Sequence, residues 1–506
     1  MKSHPYKYDF AMVFCPRWVT GRPWTAPAYL LEAIRVHGFS AQFLDYNVRF
    51  YWHTFAPELW NQGIYHQFWK TQPLDYFLNQ VDIGEIDAPV VGFSVTDTNL
   101  PFSIELARRI RKRDPDKTLI FGGHRIFFEE DPGDQVPLDA CDAIVKGEGE
   151  LTLLDILRNG LDKNVGTYTP EGDRWVFNGD RELIADLDEF PWPRYEDIDW
   201  RLFPSRHVHI MGSRGCIFRC AFCNDIVRAR HRFRKRPAAH IAEEMLYHKA
   251  KNGIASVTFN DPLMNADYRH LDELCEILLK RDFDRPWSGN FAIRADMPVE
   301  LITKAKRSGL GAVEVGLESA SPNVLQLMKK PFTVDEAEWF ISVLHDAGIK
   351  VEINIIVGFP GETEQDFQQT LAFLTKMASK VSQIDSVSTL NLDHSYLWDH
   401  IDEYGVVKRE QDRHISWYTT DGLNTYDVRL NRAEQLLNHA YMLGLTYNLY
   451  DVDIERRDRL TTPSALTRRR VKGLVKHGIK SVLRATHLLT PAQRAIALVR
   501  RSNGQT

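Results

Sequence analysis

Short apolar runs alternate with amphipathic stretches along most of the chain. Residues 8–14 form a run suited to a buried strand. Residues 26–37 place apolar side chains at helical spacing and stop at Gly38, and residues 41–45 form a second run. The pattern resumes with a strand at 88–95, a helix over about 100–113, strands at 118–121 and 143–145, and a helix that follows Gly147-Glu148-Gly149-Glu150 and runs through Leu157. Such alternation predicts an α/β domain with a doubly wound parallel sheet, whose ligand crevice lies at the carboxyl ends of the strands. Ser94, Thr96, Gly122 and Gly123 fall on that rim.

An aromatic-rich segment (Tyr51, Trp52, Phe55, Trp60, Tyr65, Phe68, Trp69, Tyr76) interrupts the first series, and its spacing does not separate core rings from the wall of a cavity. Residues 171–200 are rich in Asp, Glu, Pro and Trp. Prolines as close as Pro191 and Pro193 stop a helix, so this stretch reads as an extended connector. From His207 the alternation returns, with strands near 208–211, 256–259, 290–293, 312–317 and 351–357 separated by helices and a last helix after Glu364. The expected division is 1–170 for the first domain, 171–205 for the connector, 206–400 for a second strand-helix domain and 401–506 for a mainly helical carboxyl-terminal region.

A chain of 506 residues is too long for one ordinary core. The net charge of -5 argues against a protein that coats nucleic acid, and none is expected as a partner. There is no apolar run of about eighteen residues and no apolar stretch at the amino terminus, so the expectation is a cytoplasmic protein. The last 48 residues qualify this: from Arg459 onward there is no acidic residue, while Arg468, Arg469, Arg470, Lys472 and Lys476 accompany Leu466, Val471, Leu474 and Val475 near helical spacing. This is the pattern of a basic amphipathic helix, which docks at a membrane surface or an anionic partner, or packs on the second strand-helix domain.

The strongest chemical signal is Gly212-Ser213-Arg214-Gly215-Cys216-Ile217-Phe218-Arg219-Cys220-Ala221-Phe222-Cys223. Three thiols this close fit three corners of one [4Fe-4S] cube and leave the fourth iron open. The alternatives are a zinc loop or unrelated buried thiols. Structural zinc takes four protein ligands, commonly from repeated cysteine pairs, and no second pair exists here. Cys15, Cys141 and Cys275 are scattered and read as reduced core residues.

Cys-x-x-x-Cys-x-Phe-Cys resembles the signature of the radical S-adenosylmethionine (radical SAM) enzymes. The resemblance implies that Cys216, Cys220 and Cys223 hold a [4Fe-4S] cluster whose open iron chelates SAM, that an electron cleaves SAM to a 5'-deoxyadenosyl radical, and that Phe222 lies against the adenine. It makes the second domain a partial (β/α)6 TIM-like barrel with functional residues at strand carboxyl ends. The segment around Glu318 and Ser319 resembles Gly-x-Glu-Ser, which approaches the SAM ribose or amino group. Asn354 and the turn Gly358-Phe359-Pro360-Gly361-Glu362-Thr363 resemble the segment that addresses ribose and adenine, although the glycines also suit an ordinary turn. Arg294 and Lys330 align with positions that contact the SAM carboxylate, or are solvated charges. The family's Gly-Gly-Glu reads Phe259-Asn260-Asp261 here, so Asn260 or Asp261 would receive the SAM ammonium.

The first domain looks like the cobalamin-binding domain that precedes the barrel in one branch of this family, with Ser94, Thr96, Gly122 and Gly123 near the corrin or its tail. It lacks the Asp-x-His-x-x-Gly motif that supplies a histidine to cobalt. The resemblance implies a cobalamin-dependent methyltransferase acting on an unactivated carbon; cyclisation, rearrangement, dehydration or oxidation without methyl transfer is the alternative, and a noncatalytic iron-sulfur scaffold a third reading. It also implies an electron donor such as flavodoxin or ferredoxin and a small-molecule, lipid or natural-product substrate. His394, His414 and Tyr418 are candidate proton carriers or structural hydrogen-bonding groups.

Overall fold

The computed structural model describes residues 6–55, 60, 68, 69, 71–123, 132–162, 164–392, 394–407 and 416–447. Tyr65, His414 and the basic segment from Arg459 lie outside them.

The first sheet contains β1 (Phe10–Phe14), β2 (Ala41–Asp45), β3 (Val90–Ser94), β4 (Thr118–Gly122), β5 (Ala143–Val145), β6 (Thr167–Glu171) and β7 (Arg174–Phe177), in the order β2-β1-β3-β4-β5-β6-β7. The first five are parallel, in the register Phe10↔Ala41, Phe10↔Val90, Val90↔Thr118 and Ile120↔Ala143. Side chains alternate across a strand, so β1 feeds two cores. Ala11 and Val13 pack with Phe102, Leu106 and Ile110 of the helix Leu100–Arg113 on one face. Phe10 and Met12 pack with Leu31 and Ile34 of α1 (Thr25–Val36) and with Leu153 and Ile156 of the helix Gly149–Asn159 on the other. Burial on both faces is the doubly wound arrangement. β6 and β7 are antiparallel and extend the sheet, which places Arg174–Phe177 inside the stretch that reads as connector. The rest of the connector is tacked down where Ile184, Leu187 and Phe190 pack on Ala33 and Leu154.

The second sheet is wholly parallel. It runs His207–Ile210, Ser256–Phe259, Trp287–Phe291, Leu310–Glu318, Lys350–Ile356, Gln383–Ser388 and Thr446–Tyr447, each strand beside the one before it. This is the partial barrel, with a short seventh strand contributed after the helix Tyr426–Met442. The carboxyl-terminal region also holds a small antiparallel pair, Val406–Val407 with Tyr418–Thr419. Among the described residues no helix is long and apolar enough to cross a membrane.

The two faces of the barrel sheet differ in chemistry. Val208, Ile210, Val257, Phe259, Val313, Val315, Val351 and Ile353 point toward the surrounding helices and form the core. The positions between them are His207, His209, Ser256, Thr258, Ser288, Asn290, Glu314, Glu352 and Asn354, so the inner face is polar. A barrel whose inside only has to be filled uses branched apolar side chains there. This one is lined to hold polar groups.

Candidate active site

The cysteine loop leaves the barrel after Ile210 and is closed at its base by the antiparallel pairing of Ser213–Arg214 with Arg234–Lys235. Two further ties fix its middle: Ala221 N–H donates to the Met328 carbonyl (2.9 Å), and Leu397 N–H donates to the Ala221 carbonyl (2.8 Å). The second brings the segment beyond the barrel against the loop, where Leu390, Leu392, Leu397, Val406 and Trp417 form one cluster with Ala221, Val324, Met328 and Phe359. Phe222 packs on this cluster.

Cys216, Cys220 and Cys223 are half-buried. Burial pushes all three thiols up, Cys223 to about 12; Cys220 adds to the rise at Cys216 and Cys223, and Glu318 to the rise at Cys220. Thiolates so placed need a positive charge to form. Part of it is present. Lys330 Nζ donates to the Gly316 carbonyl (2.8 Å) and lies 3.3 Å from Glu318 Oε1. Burial works against this ammonium, yet Glu318 and the thiols hold it charged. It stands 5.4 Å from the centre of the Phe222 ring. Glu318 ends the longest barrel strand at φ +63°, a left-handed turn that is costly for a non-glycine residue and is characteristic of functional positions. Phe222, Glu318 and Lys330 are thus brought together beside the thiols. No three His, Cys, Asp or Glu side chains among the described residues converge as a single ion requires. The donor set of three neighbouring soft thiols and an N–H from Phe218 to Cys216 Sγ (3.4 Å) fits an iron-sulfur cube.

Other expected contacts have different surroundings. Ser319 is 1% exposed, and its Oγ lies 3.3 Å from Thr370 Oγ1 of the helix Glu364–Met377, so it braces the strand from the helix side. Arg294 donates to Asp296 (2.8 Å), Asn265 O (3.0 Å) and Ala266 O (3.2 Å), and stacks 4.1 Å over Tyr268; these partners engage its guanidinium at the edge of the barrel. Asn260 is exposed and receives His209 Nδ1–H on its Oδ1 (2.8 Å). Asn354 lies on the inner face, donating to Glu314 Oε1 (2.5 Å) and accepting from Ser386 Oγ (2.9 Å). The turn at Gly358, φ +71°, allows no side chain, since a Cβ would meet Arg429 Cγ at 2.3 Å; packing with the helix Tyr426–Met442 accounts for this glycine.

Asp261 is 3% exposed and sits under the loop, accepting from Gly212 N–H (2.7 Å) and Ser213 Oγ–H (2.5 Å). It positions the start of the cysteine loop. Burial raises its pKa from 3.8 to about 7. The folded protein keeps the proton up to about pH 7 while the unfolded chain releases it near 3.8, so stability falls as pH rises through that window. Asp261→Asn is expected to reduce this slope in urea titrations at several pH values; a remainder persists from Glu362, which burial beside Arg432 also raises to about 7. An unchanged slope would exclude the assignment.

Residues 210–374 match the profile described as "Radical SAM superfamily". The barrel segment is thus similar to the radical SAM superfamily over about a third of the chain. The chain is 26% identical over 307 residues to an uncharacterized methyltransferase of Pyrococcus horikoshii, covering 58% of this chain and 66% of that protein. It is 26% identical over 285 residues to the anaerobic magnesium-protoporphyrin IX monomethyl ester cyclase of Rubrivivax gelatinosus, covering 53% and 50%. The chain thus spans between half and two thirds of the length of these relatives. Its fold is similar to that of the radical S-adenosylmethionine methyltransferase TsrM of Kitasatospora setae, solved with cobalamin and a [4Fe-4S] cluster bound, with a TM-score of 0.64, 16% identity, and 89% and 90% of the two chains covered.

The barrel domain is joined to the first domain at the cysteine loop. Arg214, two residues before Cys216, lies between Glu148 Oε1 (2.9 Å) and Glu150 Oε1 (2.5 Å), and Arg234 donates to Glu148 (2.7 Å). Burial alone would weaken the Arg214 charge, and the two carboxylates reverse that. Tyr29 Oη of α1 accepts from Met211 N–H (3.1 Å), and its hydroxyl lies 3.3 Å from Glu244, which pairs with Arg236 at 2.5 Å. The Gly147-Glu148-Gly149-Glu150 motif is therefore an interdomain clamp, something invisible in the sequence because the arginines it holds lie 64 and more residues away.

The carboxyl rim of the first sheet also reaches the barrel. Arg22, on the loop after β1, is close enough to lower the pKa of His207 and His209 further; burial is the larger cause and takes them to about 4 and about 3. On the rim itself Ser94 and Thr96 are buried, and Ser94 Oγ receives the Trp24 indole N–H (3.3 Å). A Cβ at Gly123, φ +125°, would stand 2.6 Å from the Val95 carbonyl oxygen, so this glycine serves the packing of two loops. The side chains that present a surface there are Trp18 and Trp24, half-buried and edge-to-face at 4.7 Å.

Proposed function

We propose that the chain is a cobalamin-dependent radical SAM methyltransferase acting on an unactivated carbon. The observation that carries this reading is the meeting of three half-buried thiols with the buried Lys330–Glu318 pair at the barrel mouth, next to a first domain clamped to the same loop. When bound, the cluster and cobalamin supply respectively the electron that splits SAM and the methyl group. The protein's own residues bind and orient. Cys216, Cys220 and Cys223 hold the cluster. Lys330 offsets thiolate charge and faces the SAM carboxylate; Glu318 accepts from an ammonium or hydroxyl; Phe222 and Asn354 address adenine and ribose.

For cobalamin, the rim indoles Trp18 and Trp24 offer an apolar surface of the kind a flat macrocycle covers. The fold likeness to a methyltransferase solved with cobalamin and the methyltransferase among the relatives support this assignment. Substrate is a small molecule, and the polar inner face favours one with hydrogen-bonding groups over a wholly apolar lipid. A one-electron donor completes the system. Attachment of the basic segment after Arg459 to a membrane surface is a separate proposal that vesicle binding tests.

The test is anaerobic reconstitution with iron, sulfide and hydroxocobalamin, then reduction with SAM and analysis of the nucleoside products. Retained cobalamin with both 5'-deoxyadenosine and S-adenosylhomocysteine is the expected result once a substrate is present. Formation of 5'-deoxyadenosine without cobalamin retention would remove methyl transfer.

A further inference from the structure

We infer that the exposed basic edge made by Arg219, Arg230, His231 and Arg232, together with Ile217, docks an acidic one-electron carrier protein. This rests on the cluster assignment above. Between Arg214 and Arg236 the chain has eight lysines and arginines and one acidic residue, Asp225, within a protein of net charge -5. Several of these charges are neutralised internally: Arg214 and Arg234 by Glu148 and Glu150, Arg236 by Glu244, Lys235 by Asp267. Arg230 has only an exposed partner, Asp180, at 3.2 Å. Among the described residues no carboxylate pairs with Arg219, His231 or Arg232, and all three side chains are exposed. Ile217, between the first two thiols, is 45% exposed.

The basic turn is in direct contact with the cysteine loop. At Gly215, φ +87°, a Cβ would stand 2.1 Å from the Arg232 carbonyl oxygen and 2.8 Å from the Ala229 Cβ. Arg230 and His231 take left-handed conformations in succession, φ +46° and +59°, which carries residues 230–232 around the outside of the loop. The inner side of the loop is closed by Lys330, Glu318 and Phe222, so an electron enters from this outer side. Redox encounters use small interfaces, under about 1,200 Å². Within such areas opposite charge sets the encounter rate and arginine is enriched at contacts. Exposed arginines and an exposed isoleucine, carried on the cysteine loop and on the turn packed against it, have the chemistry of such a patch.

The experiment compares two reductants on the reconstituted protein in anaerobic stopped flow, following cluster bleaching. Reduced flavodoxin, an acidic carrier, needs docking; dithionite does not. In the Arg230→Glu, Arg232→Glu double variant the second-order rate with flavodoxin at low salt is expected to drop about 10- to 100-fold and lose its salt dependence, with the dithionite rate unchanged. Arg232→Lys alone should keep most of the flavodoxin rate. A wild-type flavodoxin rate in the double variant overturns the inference, and so does equal slowing with both reductants, which would place these residues in support of the cluster. A patch that binds single-stranded RNA in a variant-sensitive way, while flavodoxin reduction is indifferent to the variant, overturns it in favour of nucleic acid. Reconstituted wild type that holds no iron and shows no cluster absorption overturns the cluster assignment and this inference together.

Discussion

Replacing Cys216, Cys220 or Cys223 singly by alanine is expected to abolish 5'-deoxyadenosine formation and to leave the fold in place. Each thiol is half-buried on a loop that is fastened by other groups: the Ser213–Arg214 pairing, the Met328 carbonyl, the Leu397 amide and Asp261. Losing one sulfur atom from such a loop removes little packing, within the range of about 0.5 kcal/mol typical of substitutions outside the core. Binding is different. The thiols resist deprotonation, Cys223 up to about 12, so the cluster itself must supply the charge that makes them ligands. With two thiols left, that exchange no longer holds a cube with one open iron. Iron content and product analysis, beside far-UV circular dichroism of the metal-free proteins, check both halves. Product at the wild-type level from any of the three variants would refute the assignment of that cysteine.

Breaking the interdomain clamp is expected to be strongly destabilising while leaving the cysteines untouched. Arg214→Ala removes the partner from Glu150, whose side chain is 8% exposed, and leaves Glu148 with Arg234 and the Ile184 N–H. An abandoned buried charge costs about 3–5 kcal/mol. The cost falls first where the partner sat, so amide exchange over residues 211–216 should speed up and iron retention should fall before the barrel unfolds. Glu150→Gln in the same chain takes away the orphaned charge and should return much of the loss; an Arg214→Met, Glu150→Leu pair, which swaps charge for volume, tests the same point. If Arg214→Ala matches wild type in urea midpoint and in exchange, the clamp does not hold the loop. Additive effects of Arg214→Ala and Glu150→Gln would show that the two groups are not coupled.

The alternation of apolar runs with amphipathic stretches carried the fold almost unaided. β1 is apolar at every position because both of its faces are covered, and α1 repeats apolar residues at helical spacing because one side rests on that strand. The cysteine loop was equally plain, since its ligands lie within eight residues of one another and local spacing is enough to define them. β6 and β7 were not, because Arg174–Phe177 has one buried position in four and gains its identity as a strand from a neighbour already in the sheet.

Distances across the chain were beyond the sequence. Asp261 and Glu318 are both acidic residues at strand ends, yet one is turned under the cysteine loop and the other faces Lys330. Ser319 follows Glu318 directly, just past the left-handed end of the strand, and points to Thr370. Glu148 and Glu150 open a helix in a pattern that could serve solvent equally well; Arg214, brought in from the other domain, makes them a clamp. The polar inner face of the barrel is an intermediate case. His207, His209, Glu314, Glu352 and Asn354 do recur at alternate positions, a signal present in the sequence, but only closure of the sheet decides which face becomes the inside. Local pattern determines which elements form and which ligands sit on one loop, because those depend on neighbours along the chain. The partners of a buried charge are chosen by packing, and that choice exists only in the tertiary structure.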